Sequence, residues 1–165
     1  MTRTVVFTAL PQSLAEMKAL PEASLKAPEG TAALTVAALC LYPENRDECF
    51  AMLDYLRGPR PLSNFDKQFI RDRFMDKVDY VPRSFFLGAT PGNNYSPSQP
   101  YTLEFTDSVA QFSEEGYCRL DIKSGGADTP RQVTLRLKPS TGEWFLWDQM
   151  LLGQIRKPAE QDPWA

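Results

Sequence analysis

The hydrophobic pattern of the chain changes its period once, near Val81-Pro82. Before that point, apolar residues recur every three or four positions, which is the period of helices. After it, apolar and polar residues alternate, which is the period of half-buried strands. Helices followed by strands predict an α+β fold, in which N-terminal helices pack on one face of a C-terminal antiparallel sheet of about four or five strands.

Four helices are predicted in the first part of the chain, over 11–20, over 32–41, from Asn45 to Gly58, and after Ser63. The second helix, with Thr31 as its N-cap, is apolar on nearly every side, which indicates a central buried helix. The third begins with a capping box formed by Asn45 and Glu48. The apolar positions that predict the buried side of the fourth helix are Phe69, Ile70, Phe74 and Val78.

Strands are predicted over 84–87, 101–106, 118–123, 133–138 and 143–149, with Gly142 in the last turn. A cone-shaped arrangement, with helices filling a curved sheet in the cystatin or NTF2-like manner, is one specific version of this fold. The length fits one domain over 1–165, with 1–80 mainly helical, 84–150 mainly strands, and 151–165 an irregular tail. We expect Trp164 to dock on the body of the protein.

The chain contains no histidine, and this absence removes several chemistries. Ser-His-Asp and Cys-His catalysis are excluded, as is any histidine-ligated metal. The three cysteines are odd in number and have no zinc-binding spacing, so they are interpreted as buried thiols in a reducing compartment. The sequence therefore predicts no catalytic residue, no metal and no cofactor.

The charge of the chain argues against two kinds of partner. A formal net charge of −3 disfavours nucleic acid and anionic membrane surfaces, which need clustered positive charge. The longest apolar run, 32–42, is too short to span a bilayer. The N-terminus lacks the features of a signal peptide. We therefore expect a soluble cytoplasmic protein that binds an unknown protein or small-molecule ligand.

The loop "SGGADTPR", which begins at Ser124, allows two interpretations. Paired glycines can cradle a phosphate, but such cradles lead into the N-terminus of a helix, and here strands are predicted on both sides. A shaped connection between two strands is the ordinary alternative. Asp128 and Arg131 are the candidate recognition residues at its tip, since loop tips often carry function.

The strand segment "WFLW" is apolar on both faces. Alternation places Trp144 and Leu146 on one face, and Phe145 and Trp147 on the other. Either the chain's own loops cover the second face, or an exposed aromatic patch marks a binding surface. Phe145 and Trp147, together with Arg119 on a neighbouring strand, are candidate binding residues. Arg57, Arg60 and Arg83 could also converge on an anion, although separate surface positions are the ordinary interpretation.

Four stretches carry a family resemblance: "TAALTVAALCLYPENRDECFAMLDYLRGPRPLSNFDKQFIRDRF", "GATPGNNYSPSQPYTLEF", "SGGADTPRQVTLRLK" and "IRKPAEQDPWA". Nearly the whole chain resembles a family of small proteins of anaerobic gut bacteria, known only as a domain of unknown function. The resemblance implies a free-standing, cytoplasmic, single-domain protein. It implies no activity, cofactor or catalytic residue.

Three functional hypotheses follow. The first is a non-catalytic binding or protein-interaction module that uses the aromatic strand and the loops at one end of the sheet. The second is a small-ligand domain or histidine-independent enzyme, with a pocket of Asp, Arg and Tyr groups around Asp121 or Asp128. The third is a homodimer formed through the sheet face.

Overall fold

The computed structural model describes residues 1–108 and 114–165. Within them, the strands are β1 (Thr2–Phe7), β2 (Tyr101–Asp107), β3 (Tyr117–Ile122), β4 (Arg131–Lys138) and β5 (Glu143–Gln149). The helices are α1 (Leu14–Lys18), α2 (Pro28–Leu41), α3 (Arg46–Arg57) and α4 (Asn64–Arg73). Short 3₁₀ turns lie at Pro21–Ser24, Pro82–Phe85, Pro91–Asn93 and Ala159–Gln161.

The five strands form one antiparallel sheet in the order β1-β2-β3-β4-β5. Its inner face is a row of buried apolar pairs that runs from strand to strand: Val5–Leu103, Phe105–Ile122, Leu120–Val133 and Leu135–Leu146. The helices lie mainly before the sheet in sequence. Helix α2 packs against this inner face, α3 contacts α2 and β5, and α1 contacts α3. The predicted α+β fold is thereby confirmed.

The strand β1 is the element that the sequence pattern does not predict. It lies inside the region expected to be mainly helical, and only Val5 and Phe7 point into the core. Two inward positions are too few to establish an alternating pattern. The strand exists because it pairs with β2, almost a hundred residues later in the chain, along its whole length.

Helix α2 lies at the centre of the core, as its apolar composition predicts. It contacts β1, β3, β4, β5 and α3. The helix begins at Pro28, with Ala27 as N-cap, so the prediction that Thr31 caps it is wrong. Pro28 starts the helix because proline has the right φ and lacks an N–H that the first turn cannot use. Instead, the buried Thr31 hydroxyl donates to the Trp144 carbonyl at 2.6 Å and joins α2 to β5.

The N-cap residues of α3 and α4 agree with the sequence signals, but the capping box predicted for Asn45 and Glu48 is incomplete, because the Glu48 carboxylate accepts a hydrogen bond from the Leu14 amide instead. The Asn45 side chain accepts a hydrogen bond from the Glu48 amide, and Gly58 ends α3 with a φ of +60°. Ser63 and Asp66 form a capping box at the start of α4. Between the two helices lies the connector Gly58–Leu62, which contacts β5 at Phe145 and Trp147.

Several predictions about the remaining segments are wrong. Residues 84–87 do not form a strand, because Pro82 begins a 3₁₀ turn in which Ser84 donates to Val81. Helix α4 ends at Arg73, and Phe69 is 39% exposed because only Ile70 and Phe74 face the core. Trp164 does not dock, since 93% of it is exposed. Among the described residues, we find no helix of the length and apolarity that a membrane span requires.

Candidate functional site

The paired glycines of the 124–131 loop are packed against the chain itself. The Gly125 amide donates to the Ser84 carbonyl at 2.9 Å, and the Gly126 amide donates to the Ser124 hydroxyl at 3.1 Å. A Cβ on Gly125 would lie 1.9 Å from the Ala89 carbonyl oxygen. Because both amides are engaged and the space in front of Gly125 is filled by backbone, the loop is not a phosphate cradle. It is a shaped connection between β3 and β4.

Asp128 and Arg131 do not form a pair. Asp128 accepts a hydrogen bond from Arg156 at 3.0 Å, in an ion pair whose side chains are mostly exposed. Arg131 donates to the carbonyls of Gly153 and Gln154, each at 3.2 Å. Both residues therefore contact the C-terminal tail of their own chain.

Two tyrosines hold the same tail from the other side. The hydroxyl of the fully buried Tyr95 donates to the Arg156 carbonyl, and Tyr80 donates to the Ile155 carbonyl at 3.1 Å. The two rings stack with centroids 5.2 Å apart. Burial raises the pKa of Tyr95 to about 12, so its hydroxyl remains a donor throughout the physiological range. We call Tyr80, Tyr95, Gly126, Asp128 and Arg131 the tail-contact region.

The aromatic strand β5 has one side in the core and one side facing outward. Leu146 is buried, at 3% exposure, whereas Trp144, Phe145 and Trp147 are half-buried. The connector Gly58–Leu62 covers the outward Phe145 so closely that a Cβ on Gly58 would lie 2.3 Å from its ring. The chain's own loop therefore covers Phe145, and Trp147 is the candidate of this strand that remains at the surface.

Trp147 gains its position from an irregularity in the sheet. Thr134 pairs with Asp148 and Leu135 pairs with Leu146, so Trp147 has no partner across the β4–β5 ladder. A bulge of this kind changes the direction of the side chain it contains. It allows the indole ring to meet Tyr117 of β3 edge to face, at 5.8 Å between centroids.

Three arginines surround these two rings. The guanidinium carbons of Arg60 and Arg136 lie 3.9 and 4.6 Å from the Trp147 ring centroid. Arg119 lies 5.8 Å from the Tyr117 ring. We call Arg60, Tyr117, Arg119, Arg136 and Trp147 the outer-face cluster. The structure thus brings together Arg119 and Trp147 from the predicted site residues and Arg60 from the predicted anion set, and it adds Tyr117 and Arg136, which the sequence pattern does not single out.

The outer-face cluster carries positive charge that its neighbours compensate only in part. Arg119 pairs with Glu114 at 3.3 Å. In the part of the chain that the structure describes, neither Arg60 nor Arg136 has a carboxylate oxygen within 4 Å. Both of these side chains are exposed. A guanidinium group over an aromatic ring still presents N–H groups at its edge, and these suit carboxylates.

The connector that carries Arg60 is rigidly held. Arg57 donates through Nε to the Arg60 carbonyl at 2.9 Å and pairs with Asp66 at 3.2 Å. The Leu62 amide donates to Asp54 at 2.8 Å, and Arg60 donates to the Trp147 carbonyl. Arg83, the third arginine of the predicted anion set, lines a separate cavity at the end of α2. The set therefore does not form one site.

Burial shifts the pKa of several titratable groups among the described residues. Burial raises the pKa of Cys40 and of Cys49 to about 12, so both thiols are protonated and poorly nucleophilic at neutral pH. Burial raises the pKa of Asp121, with a hydrogen bond from Ser108 opposing the shift. Asp121 lines an outer-face cavity of about 280 Å³ together with Lys123, rather than with an arginine. Among the described residues, no group of three or more metal-ligating side chains lies together.

The family of the chain is shown by a match over most of its length. A family model described as "Domain of unknown function (DUF6935)" matches residues 9–159. The chain belongs to this DUF6935 family. The tail-contact region and the outer-face cluster both lie inside the matched residues, whereas β1 precedes them. No curated protein and no solved structure matches the chain.

Proposed function

We propose that this DUF6935 chain is a non-catalytic binding module whose outer-face cluster binds an acidic segment of a partner protein. The observation that carries the proposal is the position of Arg60 and Arg136. Both guanidinium groups lie over the Trp147 ring, both are exposed, and neither has a carboxylate within 4 Å among the described residues.

The geometry supports a carboxylate-bearing partner in two ways. Stacking on Trp147 restricts the guanidinium groups before binding, so less side-chain entropy is lost when a carboxylate arrives. The remaining surface of the chain has a negative balance, since the formal net charge is −3. A local positive surface on such a molecule steers an acidic partner to one face. Because each exposed pair contributes less than about 1 kcal/mol, we expect modest, salt-sensitive affinity.

Two other occupants of this face are disfavoured by the same residues. A second copy, related by a two-fold axis, would bring the arginines of one protomer against those of the other. A single-stranded nucleic acid would need free ring faces for stacking, but guanidinium groups already lie over Trp147 and Tyr117. The experiment must therefore distinguish an acidic protein segment from a second copy of the chain and from a nucleic acid.

The location and origin of the protein are part of the proposal. All three cysteines are free, which suits a soluble protein in a reducing cytoplasm. An intracellular bacterial partner protein would be the natural source of an acidic segment. Neither a cofactor nor a metal is required for the proposed binding.

A peptide experiment tests the proposal. Fluorescence anisotropy would compare a labelled peptide with a run of glutamates against the same peptide with glutamines. We expect binding of the glutamate peptide only, with an affinity that falls as salt is added. The double variant Arg60→Gln/Arg136→Gln should lose this binding, whereas Arg46→Gln/Arg73→Gln, with the same change in charge on the exposed surface of the helices, should keep it.

Three results would contradict the proposal: equal binding of the two peptides, binding that survives in the Arg60→Gln/Arg136→Gln variant, or arginine-dependent binding of a thymine oligonucleotide in place of the acidic peptide. Light scattering of the native chain and of the Trp147→Glu variant tests whether a second copy of the chain occupies this face. A dimer that only Trp147→Glu dissociates would assign this face to a second copy.

A further inference from the structure

A second candidate site lies at the C-terminal end of α2, away from the proposed protein-binding face. It is a cavity of about 370 Å³ between α2, the segment after β1, the start of β2, and the chain around Arg83. This volume falls at the small end of the range for small-molecule sites. The cavity therefore suits a compact ligand.

The floor of the cavity is apolar and holds no charge. It is formed by Ala37, Cys40, Leu41 and Phe86, and Tyr101 stands beside Phe86 with the two ring centroids 5.5 Å apart. The thiol of Cys40 stays neutral, because burial raises its pKa to about 12. A hydrocarbon or aromatic group would leave water on entering this space, and that transfer is favourable.

Arg83 supplies a positive charge on the wall of the cavity. Its Nε donates to the Tyr95 carbonyl at 3.3 Å, and one Nη donates to the Asn94 carbonyl at 3.5 Å. These two bonds hold the guanidinium in place and use two of its five N–H groups. In the described part of the chain no carboxylate lies within 4 Å of Arg83. The charge on this half-buried group is thus available to an anion.

The mouth of the cavity limits the charge of that anion. Glu44 and Asp79 line it and are both exposed. Their carboxylates repel any anion, and a dianion more strongly than a monoanion, while Arg83 attracts one carboxylate directly. We infer that the cavity binds a small monocarboxylate with a compact apolar body, whose carboxylate contacts Arg83 and whose apolar part lies on the α2 floor.

Calorimetry with three probes tests this inference. Phenylacetate has the required charge and shape, phenylacetamide has the same shape without charge, and phenylsuccinate adds a second carboxylate. We expect phenylacetate to bind with a dissociation constant of about 1 mM. Phenylacetamide and phenylsuccinate should bind about tenfold more weakly or not at all. Amide chemical shifts should move for residues that line the cavity, Ala37 and Phe86 among them.

Two variants separate a true site from weak general binding. Arg83→Gln should abolish phenylacetate binding, and Arg119→Gln/Arg136→Gln should leave it unchanged. Because Arg83 also holds the Asn94 and Tyr95 carbonyls, its replacement could unfold the protein, which circular dichroism would reveal. Ala37→Leu is then the deciding variant, because it keeps Arg83 and fills the floor, and it should weaken binding at least about tenfold.

The inference is overturned by any of three results. These are no phenylacetate binding at about 10 mM, equal binding of phenylacetate and phenylacetamide, or binding that persists in folded Arg83→Gln or in Ala37→Leu. A fall in phenylacetate binding in the Arg119→Gln/Arg136→Gln variant alone would instead assign the anion to the outer-face cluster.

Discussion

The tail-contact region and the outer-face cluster are built from similar residues but use them differently. In the tail-contact region, Tyr95 and Arg131 direct their donors to carbonyls of residues 153–156. In the outer-face cluster, Arg136 stacks on aromatic rings and leaves its N–H groups toward solvent. Residue type alone therefore does not separate a structural contact from a candidate binding surface. Arg60 belongs to both kinds, because it stacks on Trp147 and also donates to the Trp147 carbonyl.

The largest expected effect comes from the loop of the tail-contact region. Gly125→Ala would place a Cβ 1.9 Å from the Ala89 carbonyl oxygen, and a backbone atom cannot move aside as a side chain could. We expect a loss of about 3 kcal/mol or more in the free energy of unfolding, measured with urea.

Gly153→Ala is the matched control for this substitution. No atom lies within 4 Å of the Cβ it would add, and its φ is not in the left-handed region. Its effect should stay within about 0.5 kcal/mol. Equal effects of the two substitutions would mean that the close packing of the 124–131 loop contributes nothing to stability.

The second prediction concerns the buried hydroxyl of the same region. Tyr95→Phe removes the donor to the Arg156 carbonyl and leaves that acceptor without its partner. We expect a loss of about 2 kcal/mol. Tyr42→Phe should cost less than about 0.5 kcal/mol, because the ring stacks on Phe74 and, among the described residues, its hydroxyl has no hydrogen-bond partner. Similar losses of stability for both variants would show that the hydrogen bond from Tyr95 to the Arg156 carbonyl does not stabilise the fold.

The third prediction uses pH to loosen the connector that covers β5. Burial alone would raise the pKa of Asp66, but the hydrogen bonds from Ser63 and the charge of Arg57 hold it below its usual value. A lowered pKa in the folded state stabilises the protein above the unfolded value of about 3.9, and this contribution is lost as pH falls through the folded value.

Asp66→Asn should remove that part of the acid response. The variant should cost less than about 1 kcal/mol at neutral pH and lose less stability than the native chain between pH 4 and acid unfolding. Urea titrations across this range measure both quantities. Parallel pH profiles of the two proteins would show that the Arg57–Asp66 pair does not hold the connector.

The smallest expected effects are those of exposed charges in the two regions. Asp128→Asn breaks an ion pair whose side chains are 89% and 55% exposed, and Arg136→Gln removes an exposed cation. Each should change the free energy of unfolding by less than about 0.5 kcal/mol, as thermal or urea unfolding would show. Only Arg136→Gln should weaken binding of the acidic peptide. A stability loss above 1 kcal/mol for Arg136→Gln would make the cluster structural.

Local sequence signals predict the helices and most strands because they depend on neighbours in the chain. The Asn45 and Ser63 caps act over three residues, and the alternation around Leu103, Leu120 and Leu135 needs only one strand at a time. Local sequence signals give a wrong prediction where contacts with other parts of the chain determine the secondary structure. Strand β1 depends on β2, and Pro82 changes an apparent strand at 84–87 into a turn.

The candidate sites depend on distant residues even more strongly. Arg119 and Trp147 are predicted from their own strands, but Tyr117, Arg136 and Arg60 join them only through the register of three strands and the path of the connector. A pattern that is read one segment at a time contains no information about which residues lie side by side across a sheet.

The sequence by itself determined the α+β class, the buried central helix, the Asn45 and Ser63 caps and the absence of histidine chemistry, because these depend on composition and local patterns. Tertiary structure alone decided that Asp128 and Arg131 contact the tail, that Phe145 is covered, and that Trp147 lies beneath two arginines. The physical reason is that a donor or a ring acquires its role from its partner. Those partners lie 11 to 87 residues away in the chain, from Arg136 and Trp147 to Arg60 and Trp147.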